Sequence, residues 1–234
     1  MKKYTRPSRK IPTLRDTLGI DTLPELVAYS TDKYGDNVAY RTPRGNAVYE
    51  LTYGRVLDLV GKFARHLTEL GIERGDHVGL LGENRPEWGI SLFALSWIGA
   101  VAIPLDARAS LDSHNFILSF SAAKAVIVSN AYMNDISSIA PGLSRLRNVI
   151  PMDNIEDVCS RYATGQPMEN VPPDSLLEIL FTSGTTGDPK GVMLSHRNIM
   201  SNVDDVHRAI SYGPADRAFS VLPVHHSYEC TGGL

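Results

Sequence analysis

Cysteine is scarce in this 234-residue chain: Cys159 and Cys230 are the only two, far apart and without a C-x-x-C pair. That scarcity speaks against a disulfide framework and points to a reducing, cytoplasmic setting. An excess of one charge is lacking too. Lys and Arg total 23 against 26 Asp and Glu, a net charge of −3, so nothing global marks a nucleic-acid binder. The start is basic, with Lys2, Lys3, Arg6, Arg9, Lys10 and Arg15, but Arg15 and Asp16 interrupt the segment where a secretory leader would carry its apolar run. A solvated basic tail over residues 1–20 is the favoured reading, with peripheral contact to an anionic membrane surface as the alternative.

Long apolar runs are also rare. Residues 88–105 carry no charge and just reach the length of a membrane span, yet Gly89, Ser91, Ser96, Gly99 and Pro104 break them up. Pro86 suits a first helical turn, so a buried helix over 86–98 and a buried strand at 101–103, stopped by Pro104, account for the stretch better. Internal repeats and low-complexity segments are absent. So are three familiar chemical signatures: the G-x-x-x-x-G-K-[ST] phosphate loop, the G-x-G-x-x-G dinucleotide fingerprint and the G-x-S-x-G nucleophile elbow.

What remains is an ordinary globular composition, 43% hydrophobic and 21% charged, in a chain long enough for a sizeable core. Asp21 or Thr22 caps a helix ending near Gly35. Strands at 37–42 and 47–51 flank Arg44-Gly45-Asn46 as a hairpin. Thr52 caps a strongly amphipathic helix whose Val56, Leu57, Val60, Phe63, Ala64, Leu67 and Leu70 share one face, with Gly71 as its stop. Strands at 76–81, 101–103, 125–128 and 148–150 then alternate with helices at 86–98, 111–121 and 134–140. This alternation predicts an α/β fold, a mostly parallel sheet flanked by helices on both faces. Ligands on such sheets lie beyond the carboxyl ends of the strands. Residues 153–174, with Gly165, Pro167, Pro172 and Pro173, read as an exposed connecting arm. Further strands are expected at 176–181, 191–194 and 218–222, and Ser195 caps a helix over 196–211.

Leu180-Phe181-Thr182-Ser183-Gly184-Thr185-Thr186-Gly187-Asp188-Pro189-Lys190-Gly191-Val192 stands out. Three glycines, four hydroxyls and one lysine follow a short apolar run. Glycines let backbone N–H groups approach a ligand, hydroxyls add neutral donors, and Lys190 adds a mobile positive charge. The pattern suits a polyphosphate better than a plain turn. The extended-looking run at Val192 disfavours the strand-to-helix geometry of a P-loop ATPase.

The run FTSGTTGDPKGVMLSH resembles the phosphate-loop signature of the AMP-forming adenylating enzymes, the superfamily of acyl-CoA synthetases, luciferases and peptide-synthetase adenylation domains. Leu51-Thr52-Tyr53, Glu83-Asn84-Arg85-Pro86-Glu87-Trp88 and Gly99-Ala100-Val101-Ala102-Ile103-Pro104-Leu105 agree with it in order, so the resemblance runs from about residue 23 onward. Val221-Leu222-Pro223-Val224-His225-His226-Ser227-Tyr228-Glu229 is similar to the form in long-chain fatty acyl-CoA ligases. The resemblance implies the N-terminal part of the large adenylation domain over 21–234. It implies that Ser183, Gly184, Thr185, Thr186, Gly187 and Lys190 cradle the ATP phosphates, with Thr182 beside Mg²⁺ and Pro189 and Gly191 shaping the loop. His226 is the catalytic-site candidate, bordering the acyl pocket near the carboxylate. Two other readings of His225 and His226 stay open, a pair of polar loop residues or a metal site with Cys230, although adjacent histidines lack ordinary ligand spacing. Arg85 and Trp88 read as structural.

The implied reaction converts a carboxylic acid, of fatty-acid type, to acyl-AMP and then to a thioester with coenzyme A or an acyl carrier protein. The carboxylate is itself the nucleophile, so an activated serine or cysteine is not required. The resemblance also implies that the Tyr-Gly-x-Thr-Glu stretch, the ribose-binding aspartate and the C-terminal lysine lie beyond residue 234. The expectation is therefore of a truncated unit that does not turn over alone. Strand edges left open at the break would be a route to association. The alternative reading of the whole is a non-catalytic remnant that binds a nucleotide or a partner.

Overall fold

The computed structural model describes residues 12–182, 190–210, 213 and 215–226. In chain order the elements are α1 (Leu14–Leu18), α2 (Leu23–Tyr34), β1 (Val38–Arg44), β2 (Ala47–Thr52), α3 (Tyr53–Glu69), β3 (His77–Leu81), α4 (Pro86–Trp97), β4 (Val101–Pro104), α5 (Leu111–Phe120), β5 (Ala125–Val128), α6 (Met133–Ile139), β6 (Asn148–Pro151), α7 (Ile155–Cys159), β7 (Leu176–Thr182), β8 (Lys190–Ser195) and α8 (His196–Ala209).

Strands β3 to β8 form one six-stranded sheet in the order β6-β5-β3-β4-β7-β8, while β1 and β2 pair separately as an antiparallel hairpin. Every neighbouring pair of the large sheet is parallel except β7 and β8. Alternate side chains of its strands enter two cores, one on each face. Val78, Leu80, Ala102, Ala125 and Ile127 pack with the apolar faces of α3 and α4. Leu81, Val101, Ile103, Val126 and Val128 pack with Ile117 and Leu118 of α5 and Ile136 of α6. Strands covered on both faces lose their polar alternation, which is why they read as short continuous apolar runs.

The local signals act where expected. The Thr52 hydroxyl accepts the Arg55 N–H, capping α3, and Gly71 takes a φ of 81° just past its end. Val56, Val60, Phe63, Ala64 and Leu67 are buried, with Leu57 and Leu70 at the margin. Every residue of α4 is buried, and after Glu87 in its first turn the sequence is uncharged, as in a central core helix. None of the described helices is long and apolar enough to cross a membrane.

Two expectations need correction. The arm at 153–174 is no simple exposed path: it holds α7, whose Ile155 and Cys159 are buried. Beyond α7 the backbone is tied to two core helices. Gln166 N–H donates to Gly61 O at 2.8 Å, and Trp97 Nε1–H donates to Gln166 O at 2.9 Å. Gly165 allows this approach, because a Cβ there would lie 2.6 Å from the Gly61 carbonyl carbon. The predicted strand at 218–222 is also absent. Phe219, Val221 and Leu222 are exposed, with no ladder partner among the described residues. An apolar run supplies strand propensity, but a strand needs a neighbouring ladder, and this segment meets a side chain instead.

Candidate active site

The carboxyl ends of β3, β4 and β7 lie at one end of the sheet, since the three strands run parallel. Thr182 closes β7 and pairs with Lys190, the first residue of β8. Both are exposed at the mouth of the hairpin. Ser183, Gly184, Thr185, Thr186 and Gly187, together with Asp188 and Pro189, lie outside the described residues. The hairpin itself separates this loop from a P-loop, because the chain after Lys190 continues as a strand. Gly191 sits on β8 where a Cβ would come within 2.9 Å of Ile179 Cγ2, so glycine permits the close pairing that brings Lys190 opposite Thr182.

The histidine segment crosses the ends of β3 and β4. Asn84, just after β3, donates through Nδ2 to Leu222 O at 2.6 Å and to Ser220 Oγ at 3.0 Å, and its Oδ1 accepts the Val224 N–H at 3.2 Å. The Val224 side chain is buried. His225 follows with Nε2 3.6 Å from Asp106 Oδ1, beyond hydrogen-bond reach, and its ring centroid lies 4.3 Å from that of His226. Burial pushes the His225 pKa down, against a smaller opposing pull from Asp106. For Asp106, burial works against the charge. The Arg108 N–H, His225 and the Arg108 side chain together outweigh it and hold the carboxyl below its ordinary value. His226 itself is exposed. Cys230, Ser227, Tyr228 and Glu229 lie outside the described residues, and among the described residues no group of three His, Cys, Asp or Glu side chains could hold a metal.

Arg85 and Trp88 both have structural surroundings. Trp88 is fully buried. Arg85 pairs with Glu83, Glu87 and Asp153, and Glu87, with its side chain only 5% exposed, also receives Arg44 from the hairpin. Burial opposes the Arg85 charge, but the Glu87 and Asp153 carboxylates more than offset it and raise the pKa. Asp153 in turn accepts the Asn130 N–H, and Glu83 accepts the Ser129 hydroxyl, so the turn after β3 is fastened to the turn after β5. Residue-by-residue reading assigned no role to Asn84 or Asp106. The signal available was position: a short polar side chain two or three residues past the end of a buried parallel strand.

A family model described as AMP-binding enzyme matches residues 27–234. The chain belongs to that family. It is 32% identical to the long-chain-fatty-acid–CoA ligase FadD13 of Mycobacterium tuberculosis, over 75% of this chain and 36% of the relative. It is 26% identical to the long-chain-fatty-acid–[acyl-carrier-protein] ligase AEE15, chloroplastic, of Arabidopsis thaliana, over 88% of this chain and 32% of the relative. The chain thus spans about a third of the length of these relatives. A crystal structure of the N-terminal domain of FACL13 from Mycobacterium tuberculosis superposes with a TM-score of 0.79 at 25% identity, covering 88% of this chain and 52% of that one. The mostly parallel sheet flanked by helices is the fold of that domain.

Proposed function

We propose that this chain provides the phosphate-holding part of an acid–thiol ligase. In this reading ATP activates a medium- or long-chain fatty acid to acyl-AMP, whose acyl group is then passed to coenzyme A as AMP leaves. One observation carries the reading. Thr182 and Lys190, which flank a hydroxyl- and glycine-rich stretch of the sequence, pair at the carboxyl end of β7 in a chain of the AMP-binding family. Relatives named as fatty-acid ligases support the choice of substrate.

The chemistry follows from charge. A carboxylate oxygen attacks the α-phosphorus and pyrophosphate leaves; the thiol then attacks the acyl carbon and AMP leaves. The protein has to hold the phosphates and offset their negative charge. Lys190 supplies a cation, and Ser183, Gly184, Thr185, Thr186 and Gly187 supply hydroxyl and backbone donors. The Thr182 hydroxyl is an oxygen donor of the kind Mg²⁺ accepts, and its exposure at the strand end leaves room for the phosphate oxygens and waters that this ion retains. When bound, Mg²⁺ would neutralise phosphate charge. His226 borders the carboxylate. The scarcity of cysteine and the buried free thiol of Cys159 support a cytoplasmic setting.

The test is acid-dependent exchange of labelled pyrophosphate into ATP by the protein that carries this chain, using acids of graded length. Exchange should require the acid and should fall about 100-fold or more in Lys190→Ala, the usual scale for one lost donor at such a site. No acid-dependent exchange with any acid would sink the ligase reading. The thiol acceptor is a second question, since one relative is named as an acyl-carrier-protein ligase. Product formation with coenzyme A against a carrier protein decides it.

A further inference from the structure

The geometry points to Asn84 as a positioning residue for the His225–His226 pair. The inference rests on the proposed role of His226 beside the carboxylic acid. Residues 220–224 have no strand to pair with among the described residues, so their backbone groups are left to side chains and water. The Asn84 side chain takes up that role. Its amide presents two donors and an acceptor in one plane, as a strand neighbour does. Nδ2 serves the Leu222 carbonyl and the Ser220 hydroxyl, while Oδ1 serves the Val224 N–H. An aspartate of the same shape could accept from Val224 but donate to neither of the others.

Asn84 is itself held firmly. Arg85 next to it is locked by Glu83, Glu87 and Asp153, and α4 starts at Pro86 with every residue buried. The bracket therefore transfers the rigidity of the core to an exposed segment. Its far side is fixed by the buried Val224 side chain, and the next two residues are His225 and His226. Without the bracket, His226 would lose the side-chain hydrogen bonds that hold residues 220–224 and would rest on Val224 and the His225–Asp106 approach.

The test compares Asn84→Ala, Asn84→Asp and Ser220→Ala in the protein that carries this chain. Hydrogen exchange at the Val224 amide should speed up about tenfold in Asn84→Ala, with β3 and β4 amides unchanged, and much less in Asn84→Asp, which keeps the acceptor. In acid-dependent pyrophosphate exchange, Asn84→Ala and Asn84→Asp should raise the KM for the carboxylic acid about tenfold and leave the KM for ATP within about twofold. Ser220→Ala, which removes one of three partners, should have the smallest effect. Unchanged Val224 exchange in Asn84→Ala of an active parent would overturn the bracket alone. Parallel rises in both KM values would show general loosening and overturn the positioning role. A parent without acid-dependent exchange would overturn the ligase reading and, with it, the purpose assigned to the bracket.

Discussion

Acidification should loosen this fold through His196. The residue opens α8, directly after the hairpin that carries Lys190, and is fully buried. Its Nδ1 accepts the Leu23 N–H at 3.3 Å, so the neutral ring carries its proton on Nε2, which has no partner among the described residues. Protonation would place a second N–H on Nδ1, facing the donor at Leu23, and would create a charge in a dry site. Burial accordingly pushes the His196 pKa down to about 4, against a weak opposing pull from Glu25. In the unfolded chain the value returns to about 6.5. The folded state therefore binds fewer protons between these limits, and stability rises with pH across the window. The contribution is complete above about pH 6.5, is lost as pH falls toward about 4, and does not decline further below that. The gap corresponds to roughly 3 kcal/mol, of which about 2.5 is gone by pH 4.5. Urea unfolding of the parent and His196→Gln at about pH 7 and 4.5 checks it, because every other titrating group is common to both proteins. The parent should lose about 2–3 kcal/mol more than the variant between the two conditions. Equal pH dependence in the two would refute the reasoning. The start of α2 and the α1 contact, where Leu14 N–H donates to Asp204 Oδ1 at 2.8 Å, should be the first backbone to exchange at low pH.

Other expected outcomes concern the structural polar network and the close backbone approach. Glu87→Ala removes the carboxylate shared by Arg44 and Arg85 and should cost about 2 kcal/mol, read by thermal or urea unfolding, because the half-buried Arg85 loses its most buried partner while retaining Asp153, and the exposed Arg44 adds little. A loss below about 1 kcal/mol would show that water reaches the arginines freely. Gly165→Ala should cost about 1–3 kcal/mol, since its Cβ meets the Gly61 backbone, which cannot move without α3. Gly79→Ala is the comparison: its Cβ meets side-chain atoms of Leu118 and Val126 and no backbone, and its shortest contact, 2.7 Å, is with the end of the Leu118 side chain, so it should cost less. The opposite order would mean that the arm is free to shift away from α3. Lys190→Ala and the Asn84 series complete the set, reading phosphate holding and acid placement separately.

Element types and most boundaries were legible because their causes are local. Helical spacing in α3, the caps at Thr52 and Ser195, the turn at Gly71 and the uncharged run of α4 each act within a few residues of chain. The phosphate-type loop was legible for the same reason, as a density of glycines and hydroxyls after an apolar strand. The arm at 153–174 misled because glycine and proline mark irregular backbone without saying whether that backbone is held, and here it is stitched to α3 and α4. Residues 218–222 misled because strand propensity says nothing about whether a partner is free.

By itself, then, the sequence determined the alternation of strands and helices, the two-sided burial of the sheet and the family to which the chain belongs. Only the tertiary structure decided the strand order, the reversal between β7 and β8, and the bond from Asn84 to a segment about 140 residues away. Propensity and capping are set by neighbours along the chain. Pairing and side-chain brackets depend on which surfaces packing leaves facing one another, and that depends on the whole core.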